Sequence, residues 1–312
     1  MLQWRSMPAS RKILPYLALG VTILSLGFAA FFVRWADAPP PVMGFYRLGI
    51  ATLILTPFFV RRTVRAQAAP RTGGPGWGVL ILPVLAGLGS GLDHFLWNAS
   101  LKMTPVANAT LLGNTSPLWV ALATWLLFRQ KLKKLFWLGL VLTMAGAAAV
   151  LGNDFLRHPV LGWGDLLAVT SSLFYAIFYL FSERSRRHLD TLTHVWICSL
   201  SSTVLLLLLS LATRSALTGY PLRTYLIFLA AALLPQLAGY LCLGYALGHL
   251  PASIVSPTML GQPVMTALLA IPLLGEALQP SQWIGGLVVL AGIFLIHRSR
   301  ETRPQESADR AR

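Results

Sequence analysis

Ten apolar stretches, each about as long as a membrane-spanning helix, occupy most of this 312-residue chain. A helix needs about 20 mainly apolar residues to cross the hydrocarbon core of a bilayer. The connections between the stretches leave no room for a soluble domain. The sequence therefore predicts an all-α integral membrane protein with ten transmembrane helices, over residues 14–33, 42–60, 77–99, 104–127, 135–152, 162–182, 192–212, 223–247, 251–274 and 281–297.

The composition excludes an ordinary soluble domain. Apolar residues make up 55% of the chain, charged residues only 11%, and the mean hydropathy is +0.66. A soluble domain carries roughly 25% charged residues. The net charge of +15 comes from basic residues between the apolar stretches, without the mixed basic and aromatic surface that is typical of nucleic-acid binding. We therefore expect membrane lipid as a partner, and no nucleic acid.

Neither cysteine indicates redox or metal chemistry. Cys198 and Cys242 both lie in apolar stretches, and the sequence has no CxxC motif and no cluster of cysteine and histidine. A disulfide framework or a metal site is recognised by such clusters. The sequence therefore predicts no metal and no cofactor.

The basic residues also predict the orientation in the membrane. Alternate connections face the same side, and 19 lysines and arginines fall on one side against five on the other. Cytoplasmic connections carry an excess of lysine and arginine. We therefore expect both termini in the cytoplasm, a multi-pass location in the inner (plasma) membrane, and a disordered cytoplasmic tail over 298–312.

An internal repeat at a fixed offset of 146 residues is the most informative pattern. Identical residues recur at this offset in the pairs Pro105 and Pro251, Pro117 and Pro263, Trp137 and Trp283, Gly139 and Gly285, and Gly146 and Gly292. Residues 14–152 and 161–297 therefore form two copies of a five-helix unit. Because five is an odd number of spans, the second copy must be inverted in the bilayer.

Inverted repeats are typical of secondary transporters, which bind the substrate near the membrane midplane where the two repeats meet. Such halves can rock and expose a central site first to one side and then to the other. The alternative is a duplication that only built a large helical bundle.

Several motifs of the two copies also match a known family. The first copy has Thr104 to Leu112, Pro117-Leu118-Trp119 and Trp137-Leu138-Gly139, the second has Pro263, Leu273-Leu274-Gly275 and Trp283-Ile284-Gly285, and helix 2 has Phe45-Tyr46-Arg47. These residues resemble the EamA-type domains of the drug/metabolite transporter superfamily. The chain differs at Gln130, where the family has a glutamate. The resemblance implies ten helices, cytoplasmic termini and transport of small metabolites such as amino acids, nucleosides or drugs. It does not specify the substrate, because the motifs mark the fold.

Ionisable side chains within the predicted third helix are the strongest site candidates. An aspartate at the centre of a membrane helix costs about 2.5–3.5 kcal/mol on insertion scales. Asp93 shares a helix face with Trp97, and His94 shares one with Asn98. Asp93 or His94 could bind the substrate or exchange a proton during transport. Alternatively, the two residues pair with each other or with a neighbouring helix and only fix packing.

Polar and aromatic residues on other helices extend the predicted pathway. They are Thr110 and Asn114 in the fourth helix, Tyr175 in the sixth, Gln236 and Tyr240 in the eighth, and Thr258 and Gln262 in the ninth. Hydrogen bonds between helices and aromatic packing are the alternative explanation. Arg47, near the outer end of the second helix, could attract an anion, but we expect its side chain to extend to the interface in a structural role.

The function that these patterns predict is transport of a small amino-acid-like or drug-like metabolite, with export the favoured direction. The alternative is an intramembrane enzyme or a lipid-handling protein of the same architecture. The sequence has no DxxxD or HEXXH motif, which disfavours the enzyme. It leaves open whether the protein is a monomer or a homodimer, which a fifth or tenth helix with an apolar face could form.

Overall fold

A computed structural model describes residues 13–68, 77–104, 106–151, 162–275 and 278–301 of the protein. In these ranges the chain is helical, with no strand. The helices are α1 (Leu14–Gly27), α2 (Ala29–Trp35), α3 (Pro40–Ala68), α4 (Trp77–Ser100), α5 (Val106–Gly113), α6 (Ser116–Leu126), α7 (Lys134–Leu151), α8 (Trp163–Ser185), α9 (Thr191–Ala212), α10 (Leu222–Ala231), α11 (Tyr240–Leu247), α12 (Ala252–Thr258), α13 (Gly261–Leu274) and α14 (Pro280–Glu301). A π-helical segment, Ala232–Gly239, joins α10 to α11.

The described residues contain nine helical segments that are long and apolar enough to cross a membrane. They are Leu14–Trp35, Pro40–Arg65, Gly78–Ser100, Lys134–Leu151, Trp163–Ser185, Thr191–Ala212, Leu222–Leu247, Ala252–Leu273 and Pro280–Ser299. The all-α membrane architecture is therefore confirmed. The tenth predicted span, 104–127, consists of the two short helices α5 and α6, which have 8 and 11 residues.

Two of the predicted helices are broken at corresponding points. The break between α5 and α6 lies at 114–115, and the break between α12 and α13 lies at 259–260. Pro117 and Pro263 follow these breaks. Proline has no N–H to donate to the carbonyl four residues earlier, which is Gly113 or Met259 here, so the helical ladder is interrupted at this point. The prediction of continuous helices over 104–127 and 251–274 is wrong in this detail.

Helices α7 and α14 pack against each other in antiparallel orientation, and glycines make this close approach feasible. A Cβ atom added at Gly139 would lie 2.8 Å from the carbonyl oxygen of Gly292, and one added at Gly146 would lie 2.7 Å from that of Gly285. Real Cβ atoms do not come this close to a backbone oxygen. The two contacts correspond to each other through the 146-residue offset, because Gly139 corresponds to Gly285 and Gly292 corresponds to Gly146.

Helix α4 packs closely against α8 and α9, and α9 also packs against α3. Glycines again bring the backbones together. A Cβ atom at Gly89 would lie 3.0 Å from the carbonyl oxygen of Phe174 in α8, and one at Gly91 would lie 2.9 Å from the Leu205 side chain in α9. The faces of α4 that carry these glycines are therefore covered by α8 and α9.

The last helix extends further than the sequence predicts. Helix α14 continues to Glu301, so the first residues of the predicted 298–312 tail are helical. The rest of that tail, 302–312, lies outside the described residues.

Candidate functional site

A group of polar and aromatic side chains meets inside the bundle, and we call it the central cluster. It comprises Arg47 from α3, Ser90, Asp93 and His94 from α4, Ser171 and Tyr175 from α8, Ser199 from α9, Gln236 from the π-helical segment and Tyr240 from α11. Six helical elements contribute to it, of which the π-helical segment and α11 are consecutive in the chain. Polar side chains that converge within a membrane bundle are expensive to bury, so they call for a specific explanation.

The acidic part of the central cluster is formed by neighbouring residues of α4. His94 Nδ1 lies 2.8 Å from the carbonyl oxygen of Ser90 and 3.5 Å from Asp93 Oδ2. Because this nitrogen faces two oxygen acceptors, we assign a hydrogen to it. The Asp93 carboxylate also interacts with the side chain of Ser171 on α8. Both side chains are largely buried, with 16% of Asp93 and 12% of His94 exposed.

The basic part of the central cluster is Arg47. Its Nε donates to Gln236 Oε1 at 3.1 Å, and Gln236 Nε2 donates to Ser199 Oγ at 3.4 Å. The guanidinium carbon lies 5.7 Å from the ring centroid of Tyr240. Only 6% of Arg47 is exposed, so the expectation that its side chain reaches the interface is wrong. The hydrogen bond to Gln236 holds the charge inside the bundle.

Arg47 has no carboxylate within ion-pair distance in the described part of the chain. Asp93 acts on it only as a charge at longer range. A buried guanidinium has five N–H donors in a fixed planar arrangement that suits a carboxylate or phosphate. Among the described residues the Arg47 guanidinium therefore keeps N–H donors that have no carboxylate partner.

Aromatic rings form the third side of the central cluster. The ring of Tyr175 stacks on Phe178 at 5.6 Å and lies 4.6 Å from Tyr179. Tyr240 contacts Phe178 at 5.7 Å and His94 at 6.4 Å. These rings provide an apolar surface beside the charged groups.

A cavity of about 10 Å³ adjoins the central cluster, lined in part by Ser90, Gln236 and Tyr240. A cavity of this size holds about one water molecule. Any larger ligand would require the helices around the cluster to move apart.

The remaining α4 and α5 candidates lie around the end of α5, next to the central cluster, since a Cβ atom at Gly113 would lie 3.8 Å from Ser171 Oγ. Trp97 packs against the α5 backbone, since a Cβ atom at Gly113 would lie 2.9 Å from its Cδ1. Asn114 Nδ2 donates to the carbonyl oxygen of Thr110 at 2.8 Å, so this pair satisfies backbone at the α5 break. Asn98 is buried, and its Oδ1 has no hydrogen-bond partner among the described residues.

The hydrogen bonds of Thr258 and Gln262 go to residues outside the central cluster. Thr258 Oγ1 lies 2.9 Å from His297 Nε2 on α14, and Gln262 Nε2 donates to the carbonyl oxygen of Leu26 at 3.2 Å. Leu26 is in the last turn of α1, where the helix ends and carbonyl groups lose their helical donors. These contacts match the alternative explanation, hydrogen bonding between helices.

Comparison with protein families decides the identity. The model of the EamA-like transporter family matches the chain twice, over residues 13–152 and 162–298. The chain belongs to this family. The two matches correspond closely to the five-helix units that the 146-residue offset predicts.

Relatives that are named as transporters or exporters are consistent with this assignment. The chain is 29% identical over 276 residues to a riboflavin transporter of Rhizobium johnstonii, covering 86% of this chain and 85% of the relative. It is 23% identical over 281 residues to a probable terminal-alkyne amino-acid exporter of Streptantibioticus cattleyicolor, with 88% and 94% covered. It is 24% identical over 294 residues to the Escherichia coli inner membrane transporter YedA, with 92% of each chain covered.

A solved crystal structure shares the fold. It superposes with a TM-score of 0.74 at 19% sequence identity, and the match covers 93% of this chain and 99% of the other. With the family assignment, this makes the protein a multi-pass membrane transporter of a small molecule. In the part that the structure describes, no group of three or more His, Cys, Asp or Glu could hold a metal ion.

Within this EamA-like fold, the sequence did not predict that Arg47 is buried in the central cluster. A signal for it was present, because Arg47 interrupts a long apolar stretch directly after Phe45 and Tyr46. The same signal is compatible with a side chain that reaches the interface. Only the packing of α3 beside the π-helical segment distinguishes the two cases, since it puts Gln236 next to the guanidinium.

Proposed function

We propose that this transporter moves a small amino-acid-like or drug-like metabolite by alternating access, with the central cluster as its substrate site. The observation that supports this most is the burial of Arg47 and Asp93 in one cluster without a direct ion pair between them. Charged groups inside a membrane bundle mark a substrate or ion pathway by default. The cluster also combines parts of both predicted repeats, since α3 and α4 belong to the first and α8, α9 and α11 to the second.

The chemistry of the cluster fits a solute with a polar, charged end and an apolar body. Arg47 can donate to a carboxylate or another oxygen acceptor, and Asp93 can accept from an ammonium or hydroxyl group. The rings of Tyr175, Phe178 and Tyr240 can pack against the apolar part. Two relatives are named for the solutes riboflavin and a terminal-alkyne amino acid. These names support a small solute for this chain but do not select one.

Two features support ten spans in two inverted repeats. The reciprocal glycine contacts of α7 and α14 are those expected when two antiparallel helices are related by a two-fold axis. The breaks at 114–115 and 259–260 fall at nearly the same position of each repeat. Discontinuous helices are a common feature of transporters with inverted repeats. On this proposal α5 and α6 together form the tenth span.

The proposed setting is the inner membrane, with both termini in the cytoplasm and export as the direction. The excess of basic residues on one side supports the orientation. The named exporter among the relatives supports the direction.

The experiment that tests the proposal is counterflow in proteoliposomes. Pooled labelled amino acids, nucleosides and cationic drugs are each assayed with and without a pH gradient. We expect saturable exchange of one pool by the wild type and by Arg223→Gln, a control variant at the exposed start of α10. No exchange of any pool by folded protein would contradict the proposal.

The same assay, applied to Asp93→Asn and to the wild type, distinguishes proton-coupled transport from facilitated diffusion. If protons are exchanged at Asp93, the flux of this variant no longer responds to the pH gradient that drives the wild type. If the protein only facilitates diffusion, the flux of the wild type does not respond to the gradient.

A further inference from the structure

A second, larger cavity lies at the end of the bundle where the basic connections meet, and we call it the basic-end cavity. Its volume is about 250 Å³. It lies between the ends of α6 and α8 and the start of α12, and it is separate from the central cluster. The residues that line it include Thr124, Phe128, Gln130, Glu183, Arg184 and Ser253.

The one carboxylate in this lining is already satisfied by partners within the chain. Glu183 Oε1 accepts from Arg187 at 2.5 Å, one turn further along α8. Its Oε2 accepts from the backbone N–H of Ala252 at 2.9 Å. Glu183 therefore neutralises Arg187 and connects α8 to the start of α12, which leaves no negative charge for another cation.

Arg184 is the cation that remains. Its guanidinium carbon lies 4.0 Å from the ring centroid of Phe128, so the planar group lies over the aromatic face. Among the described residues it has neither an ion pair nor a hydrogen-bond acceptor. An arginine held by stacking keeps its N–H edge for a carboxylate or phosphate group, and the ring limits the orientations that it can adopt.

The position of Arg184 relates the cavity to the central cluster. Arg184 follows Tyr175 by nine residues on α8, which is roughly 14 Å at 1.5 Å per residue. Tyr179 lies between them and is completely buried. The basic-end cavity and the central cluster are thus two separate places along one helix.

We propose that the basic-end cavity binds the carboxylate or phosphate group of an anionic molecule, with Arg184 as its main ligand. Gln130 and Ser253 provide additional hydrogen-bonding groups in the lining. Both a water-soluble anion and the headgroup of an anionic lipid carry this chemistry. The inference does not depend on the central cluster as the substrate site.

The test measures the thermal unfolding midpoint of the purified full-length protein in neutral detergent. Citrate or inorganic phosphate is titrated against chloride at matched ionic strength, so that general screening cancels. Because a ligand that binds only the folded state stabilises it, we expect the midpoint to rise with anion concentration. Arg184→Gln should abolish this rise, and the Arg223→Gln control should retain it.

A second arm identifies a lipid source. The protein is compared in phosphatidylcholine nanodiscs with and without phosphatidylglycerol. Stabilisation by phosphatidylglycerol alone, lost in Arg184→Gln, assigns the cavity to a lipid headgroup, whereas an Arg184-dependent response to citrate or phosphate assigns it to a soluble anion.

A third variant keeps the test decisive if Arg184→Gln does not fold. Arg184→Lys retains a cation over Phe128 but loses the planar group, so it should bind the effective probe several-fold more weakly than the wild type. A midpoint response that is absent from the wild type with every probe, or unchanged in both Arg184 variants, would overturn the proposal.

Discussion

The α7–α14 pair and the central cluster differ in how they use the predicted repeat. In the helix pair, positions 146 residues apart carry the same residue, glycine, at Gly139 and Gly285. In the central cluster, most positions at the same offset carry different residues. Asp93 corresponds to Gly239, and His94 corresponds to Tyr240.

Even so, one contact between helices near the cluster recurs at the 146-residue offset. A Cβ atom at Gly239 would lie 3.4 Å from the side chain of Ser25, and Asp93 interacts with Ser171, which is 146 residues after Ser25. Residues at corresponding positions are therefore close together in both halves of the chain, and the carboxylate occurs in one of them. This indicates that backbone contact keeps the scaffold residues alike, while the chemistry of the site resides where the copies differ.

The largest effect is expected from a substitution in the symmetric pair. Gly146→Leu places a side chain against the backbone of α14, where the carbonyl oxygen of Gly285 and the N–H of Val289 are each 2.7 Å from the new Cβ. Overpacking alone costs about 1–3 kcal/mol, and backbone atoms cannot rotate away. We expect folded protein, measured by size-exclusion chromatography, to fall about ten-fold. Gly20→Leu, at an exposed position with no atom within 4 Å, should behave as the wild type; equal loss in both variants would refute this explanation.

The next largest effect concerns transport and not folding. Arg47→Gln removes the buried cation, and we expect the counterflow rate to fall at least about ten-fold, because a charge-assisted contact contributes about 1.5–3 kcal/mol. Thr258→Val, which changes a residue outside the central cluster, should retain the rate within about two-fold. The thermal unfolding midpoint of each variant monitors folding. Equal rates for Arg47→Gln and the wild type would remove Arg47 from the site.

Making the two copies more alike should have a smaller effect. Gln236→Ser gives this position the residue of its counterpart, Ser90, and removes the acceptor of Arg47 Nε. The guanidinium remains but is less well oriented, so we expect a several-fold rise in KM for counterflow with a smaller change in maximal rate. If KM stays constant, Gln236 does not position Arg47 for the substrate.

The smallest effect is expected at Asp190, which also differs from its counterpart, Gly44, but lies outside the membrane-spanning segments. Burial alone would raise the pKa of Asp190, but hydrogen bonds from Thr193 and the charge of Arg62 outweigh it and hold the pKa below its usual value. A carboxylate with a lowered pKa stabilises the fold fully above its unfolded pKa, about 3.9, and loses this effect as pH falls through the folded value.

Asp190→Asn should therefore lower the thermal unfolding midpoint by at most a few degrees between about pH 5 and 7. The gap from the wild type should narrow below about pH 4, and counterflow should be unchanged. A gap that widens in acid would contradict this sign.

The sequence predicts the scaffold better than the site, for a physical reason. Apolar length and the 146-residue offset indicate the spans and the glycine positions directly, because backbone contact leaves few residue choices. Helical spacing shows which residues share a face, but not which helix covers that face. Thr258 and Gln262 are polar on one face as predicted, yet they contact α14 and the end of α1. The burial of Arg47 depends on Gln236, 189 residues away.

The central claim, a site that opens alternately to both sides, is tested most directly by sided labelling. Ser171→Cys is prepared with Cys198 and Cys242 replaced by serine, and a membrane-impermeant thiol reagent is added from either side of the membrane. We predict labelling from both sides, slowed by the substrate that counterflow identifies. Thr143→Cys, buried in the α7–α14 pair, should stay unlabelled. Labelling of Ser171→Cys from one side only, or from neither, would contradict alternating access through the central cluster.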